Sequence, residues 1–145
     1  MISFFRESTD FDIKHKNLIK KWLRGLAAEG GFKIGDLNYI FCSDDYLLEI
    51  NKQYLGHDYY TDIITFDNRE EEGGTVIDGD IFISVDTVRA NGVEYGEGFD
   101  REIMRVVAHG LLHLIGFDDL APEQQAEMRN QENKALEKWN SIMMS

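Results

Sequence analysis

The chain has a single cysteine, Cys42, so no disulfide can form within it, and a secreted domain built on disulfides is excluded. It has a single proline, Pro122, and therefore no Pro-rich linker. Long hydrophobic runs are missing too. The most apolar stretch, residues 106–117, contains two histidines and is too short to span a bilayer. The first six residues lack the basic segment and apolar run of a signal peptide. A reduced, cytoplasmic compartment is the expectation. Basic residues are also scarce: Lys and Arg number 15 against 27 Asp and Glu, a net charge of −12. That excludes indiscriminate nucleic-acid binding, because neutralising phosphates takes Lys and Arg.

What is present describes a globular chain. Its 145 residues are 43% hydrophobic and 29% charged, enough for one domain with one sizeable core. The charge is uneven. Residues 1–33 hold seven basic and four acidic groups, net +3, whereas the remainder holds eight against 23, net −15. Two faces of different character are expected.

Residues 2–5 read as a strand. Asp12 is placed to cap a helix whose apolar stripe is Leu18, Ile19, Trp22, Leu23, Leu26 and Ala27, closed by Gly30 and Gly31. Residues 37–42 read as a strand, and Ser43 as the cap of a second helix running to about Tyr54, where Gly56 stops it. Residues 61–66 are β-branched and aromatic, hence a third strand. Residues 67–79 form an acidic, glycine-containing turn, and residues 79–84 a fourth strand. The close spacing of the last two strands predicts antiparallel pairing. A short helix over 85–94 precedes a long one over 99–115, broken by Gly116. Pro122 opens a last helix carrying Met128, Leu136 and Trp139. Four strands and about five helices make a single α+β domain, α/β-like in its early alternation, with a four-stranded mixed sheet and a metal-binding helix near the C-terminal third.

That helix carries the chemistry. His109 and His113 are four residues apart, so they project from one face within reach of one metal ion. Gly116 lets the chain turn back. Asp119, three residues on, supplies a third ligand, with Asp118 as the alternative. Two imidazoles and one carboxylate leave a position open for water, as catalytic zinc sites do. The competing reading is a pair of partly buried histidines on a core helix, because the bare spacing is a weak signal; the adjoining Gly and Asp strengthen the metal reading. A protease of the His-Glu-x-x-His type needs Glu after the first histidine, and Gly110 stands there.

Residues 109–118 resemble the signature of the YbeY family, H-G-x-L-H-L-x-G-[YF]-D-H, whose members are bacterial metal-dependent endoribonucleases of ribosomal RNA maturation. The signature's last position, usually a third histidine, is Asp119 here. Aspartate is a harder ligand than imidazole and admits manganese or another divalent ion beside zinc. Asn51, Tyr54 and Asp58 with the run from Thr61 to Phe66 are similar to a second family segment, and Gly79-Asp80-Ile81 with Ile83-Ser84 to a third. The family often has an arginine just after that tyrosine, where this chain has Leu55. The resemblance implies a metal-dependent hydrolase domain over residues 1–145. One Zn2+ would be held by His109, His113 and Asp119. The substrate would be single-stranded RNA, in maturation of the 3′ end of 16S rRNA and in ribosome quality control. The partners would be ribosomal RNA and the small ribosomal subunit, with neither a membrane nor DNA. The competing functions are a metal-dependent hydrolase of another substrate, or a non-catalytic ribosome-assembly factor with a structural metal.

Two further residues are candidates for catalysis. Arg105, one turn before His109, either stabilises charge on a phosphate oxygen or pairs with Glu102 or Asp100 along the helix. His57 either serves as an acid–base group or is a solvated loop residue. Thr61 and Asp62 either orient a metal-bound histidine by hydrogen bonding or cap the strand that follows. Lys16, Lys20, Lys21 and Arg24 are either a phosphate-tracking stripe or the polar face of an amphipathic helix.

Overall fold

The computed structural model describes residues 1–145. The elements in chain order are β1 (Ile2–Glu7), α1 (Lys16–Glu29), β2 (Lys33–Cys42), α2 (Asp44–Ile50), β3 (Ile63–Asp67), β4 (Val76–Ser84), α3 (Val85–Glu94), α4 (Phe99–Ile115) and α5 (Pro122–Met143). The four strands form one mixed sheet, as expected; their order, β1-β2-β4-β3, is what the structure adds. β1 and β4 flank β2 in parallel, and β3 pairs antiparallel with β4 at the edge. No helix is long and apolar enough to cross a membrane.

The strands alternate as half-buried strands must. On β4, Ile77, Gly79, Ile81 and Ile83 are buried, while Asp78, Asp80 and Phe82 point the other way. The first set packs into the main core with Leu37, Tyr39 and Phe41 of β2 and with α1, α4 and α5. A small cluster of Cys42, Leu47 and Ile64 covers the opposite face under α2. Two buried hydrogen bonds tie the layers together. The Tyr39 hydroxyl donates to the Val107 carbonyl at 2.9 Å, and Trp22 Nε1 donates to the Ala135 carbonyl at 2.9 Å.

Several expected boundaries move. Asp12 does not cap α1. The helix begins after His15, whose φ of 61° is left-handed and whose side chain makes no cap bond. Asp12 lies four residues before Lys16 and pairs with its ammonium at 3.1 Å instead. Leu18 is 37% exposed, so the buried stripe is Ile19, Trp22, Leu23, Leu26 and Ala27. β2 starts at Lys33, with a register break between Ile34 and Leu37 that hides its first half from a period-two reading. β4 starts at Val76, inside the stretch expected as a turn. α2 ends at Ile50 and continues as a π-helical turn over Asn51–Leu55, closed by Gly56 at φ 68°.

Helix α4 lies close against the sheet at Gly110. A Cβ there would come within 2.9 Å of Ile81 and 3.2 Å of Ile63. Gly110→Ala is therefore expected to overpack this contact and cost about 1–3 kcal/mol in denaturant unfolding. Gly25→Ala, on the open face of α1 with nothing within 4 Å, is the control and is expected to stabilise by about 0.5–1 kcal/mol.

Candidate metal centre

The C-terminal half of α4 turns one face to the sheet and the other to a cleft. His109 and His113 lie on the cleft face with their rings nearly parallel, 6° apart in plane and 6.3 Å apart in centroid. The helix stops at Gly116, whose φ of 124° suits glycine, and its N–H caps the Leu112 and His113 carbonyls. The chain then doubles back, and Asp119 Oδ2 comes within 3.5 Å of His109 Nε2. Asp118 points to solvent and does not line the cleft. The start of β3 closes the other side. The cleft, about 340 Å³, is lined by Thr61, Asp62, Ile63, Thr65, His109, His113 and Asp119.

Both imidazoles have their Nδ1 atoms engaged. His113 Nδ1 is 3.1 Å from the Phe117 carbonyl oxygen, which only accepts, so Nδ1 carries the proton. His109 Nδ1 is 2.8 Å from Glu132 Oε2 of α5. Each ring is thus held through Nδ1, which leaves Nε2 as the nitrogen that a metal would take from it. Burial alone would lower the His109 pKa. The Glu132 hydrogen bond and the charges of Glu132, Asp119 and Asp62 outweigh it and raise the value above the ordinary one. Burial pushes the Asp62 carboxyl up, only partly offset by His109 and backbone N–H groups.

No three His, Cys, Asp or Glu side chains stand close enough together to count as a formed metal site. The donor chemistry nonetheless fits a cation. Two imidazoles and the carboxylates of Asp62 and Asp119 line a cleft to which no Lys or Arg contributes.

Behind the cleft lies a buried ion-pair network. Arg105 is 3% exposed. Its Nε and Nη2 donate to the two Glu97 carboxylate oxygens at 3.2 and 3.1 Å, and its Nη1 donates to Glu132 Oε1 at 3.1 Å and Asn133 Oδ1 at 3.0 Å. Glu132 therefore bridges the guanidinium and His109.

A family profile described as Endoribonuclease YbeY matches residues 2–140. The chain belongs to the YbeY family of endoribonucleases. A protein named endoribonuclease YbeY in Phocaeicola vulgatus is 50% identical over 137 residues, covering 94% of this chain and 96% of that one. Its namesake in Cytophaga hutchinsonii is 47% identical over 135 residues, covering 93% of each chain. The solution structure of a Thermotoga maritima protein is similar, with a TM-score of 0.65 at 28% identity, covering 97% of this chain and 93% of that one.

His109, His113 and Asp119 line one cleft without forming a closed ligand set, and two other expected residues lie outside it. Arg105 does not line the cleft: buried carboxylates hold its guanidinium, and it reaches the site only through Glu132. Of the pairings expected for it, Glu102 is 3.9 Å away, and the closer partners are Glu97 and Glu132. His57 is exposed, hydrogen-bonds Tyr59 at 3.0 Å and does not line the cleft. Glu132, which touches His109, belongs to no sequence motif. It falls on the buried stripe of α5 between Met128 and Leu136, and a carboxylate on an apolar stripe is the signal that marks it.

Arg105→Met would strand Glu97, Glu102 and Glu132 without their cation and is expected to cost about 3–5 kcal/mol. Arg101→Met, removing a half-exposed pair at 3.8 Å, should cost under about 1 kcal/mol. The sign of the pH dependence follows from Glu97. Burial favours its neutral form, yet Arg105 outweighs that and holds the carboxyl below its ordinary 4.5. Its contribution is complete above pH 4.5 and lost as pH falls through the folded value. The gap between wild type and Arg105→Met in unfolding free energy should therefore narrow below pH 4.5, where protonated carboxyls no longer need the guanidinium.

Proposed function

We propose that this chain is a metal-dependent endoribonuclease that hydrolyses phosphodiesters in single-stranded RNA, with His109, His113 and Asp119 holding one divalent cation, zinc foremost. The observation that carries this reading is the pair of imidazoles, each anchored through Nδ1, beside carboxylates in a cleft without Lys or Arg. A bound divalent cation would supply Lewis acidity to a phosphoryl oxygen or water there. Glu132 and the Phe117 carbonyl hold the two rings in one tautomer and one orientation. Arg105 acts through Glu132 as a positioning residue: its guanidinium holds that carboxylate in place. Asp62 lines the cleft opposite the imidazoles and is the carboxylate placed there to accept a proton from water. That assigns the base role to Asp62 rather than to His57. Gly110 leaves no carboxylate at the protease position, and peptide hydrolysis is not expected.

The biological setting comes from the family: maturation of the 3′ end of 16S rRNA and ribosome quality control in the cytoplasm, with ribosomal RNA and the small ribosomal subunit as partners. A net charge of −12 agrees with an enzyme whose specificity comes from docking on a particle rather than from affinity for free RNA.

One variant tests the reading at three points. Wild-type protein should carry about one metal per chain and cleave unpaired RNA but not casein. The His109→Ala/His113→Ala double variant should lose both metal and cleavage. As the host's sole copy, it should leave 16S rRNA with unprocessed 3′ ends. Full metal content in the double variant would overturn the site, undiminished cleavage the activity, and normal 3′ ends the maturation role.

A further inference from the structure

Ahead of the cleft the chain exposes three tyrosines within seven residues. Tyr54, Tyr59 and Tyr60 are 62%, 56% and 56% exposed. None of the rings is loose. Tyr54 stands edge-on to Phe66 with centroids 5.9 Å apart. Tyr59 stacks on His57 at 5.1 Å and 19°, and the two share a hydrogen bond of 3.0 Å. The Tyr60 hydroxyl donates to Asp45 at 2.8 Å. The backbone beneath is anchored by buried Asn51, whose Nδ2 donates to the Tyr59 carbonyl at 2.9 Å and whose carbonyl accepts the His57 N–H at 3.2 Å. Tyr60 leads directly into Thr61, Asp62 and Ile63, which line the cleft. The ring surface is therefore continuous in the chain with the candidate metal centre.

Charge decides what such a surface can hold. Residues 43–62 contain five acidic side chains and a single Lys or Arg, Lys52. Lys52 is already shared between Glu49 at 3.6 Å and Asp58 at 3.5 Å. A phosphate backbone finds no free lysine or arginine here, and Leu55 adds an exposed aliphatic side chain. What this segment offers a nucleic-acid strand is exposed ring faces rather than free cations. Unpaired bases stack on tyrosine and histidine rings whatever their identity, whereas the bases of a duplex are already stacked on one another.

We propose that His57, Tyr59 and Tyr60, with Tyr54 beside them, form a platform on which unpaired bases of an RNA strand stack as it enters the cleft. The proposal rests on the endoribonuclease reading and deepens it. It makes stacking, rather than phosphate neutralisation, the source of strand affinity on this side of the site, and it makes the platform the element that selects single strands over duplex.

The test is fluorescence anisotropy with two labelled 2′-O-methyl hexanucleotides that resist cleavage, one bearing bases and one abasic throughout. Wild-type protein should prefer the base-bearing strand by at least tenfold, because each stacked ring is worth roughly five- to 150-fold in affinity. Tyr59→Ala/Tyr60→Ala should lose that preference. Tyr59→Phe/Tyr60→Phe, which keeps the rings and removes only the hydroxyls, should retain it, and unchanged thermal melting of both variants would show that the fold is intact. Equal binding of the two strands by wild type, or an undiminished preference in the alanine variant, would overturn the platform. Cleavage of unpaired RNA without any base preference would remove the platform while leaving the endoribonuclease reading in place. A base preference without cleavage would support the platform and remove that reading instead.

Discussion

Arg105 is buried between α4 and α5, and a buried guanidinium has to find carboxylates, because an unpaired charge there costs several kcal/mol. Glu97, just before α4, takes two of its donors, and Glu132 on α5 takes a third. The pairing fixes the register in which α5 docks on α4, since sliding the helix would strand both charges. The same docking presents the second oxygen of Glu132 to His109 Nδ1. One carboxylate thus satisfies a buried cation and sets the tautomer of an imidazole. Glu102 is the remainder of this cluster. Its Oε1 has no hydrogen-bond partner, and burial pushes its pKa up.

The sheet supplies the opposite wall. β3 is an edge strand, so the cleft between it and α4 opens to solvent. Helix and strand meet closely only because Gly110 has no side chain. The glycine that argues against a protease is also the one that seats the helix, so a glutamate at that position would have to displace Ile81 and Ile63. The site is then a rigid helix face carrying two oriented imidazoles, a turn that brings back Asp119, and a strand end that adds Asp62.

Much of this was legible in the sequence because it is local. The i, i+4 spacing of His109 and His113 on a helix of apolar neighbours, ended by Gly116, places both rings without knowledge of the rest of the fold. The mixed sheet of four strands follows from alternation and from β3 and β4 being consecutive strands joined by a hairpin loop. What depends on contacts distant in the chain was not legible. Arg105 read as a group near phosphate because helical spacing puts it one turn from His109; its partners lie eight and 27 residues away, and only packing reveals them. Glu132 belongs to no motif. The early half of β2 is hidden by its register break, and Asp12 precedes the apolar stripe as a cap would, but the helix starts only after His15, where Asp12 can no longer reach its first N–H groups. The net charge of −12 also gained meaning from position. Acidic side chains surround the exposed tyrosines, so the rings rather than any lysine are what that face offers a strand.

Glu132, held by Arg105, orients His109, and on the proposed reading that orientation serves a metal ion. Competition of the protein against a chelating indicator for zinc, wild type beside Glu132→Gln at one pH, tests it most directly. Zinc affinity should weaken about ten- to a hundredfold in the variant, with His109, His113 and Asp119 all intact. Equal affinity in the two proteins would contradict it.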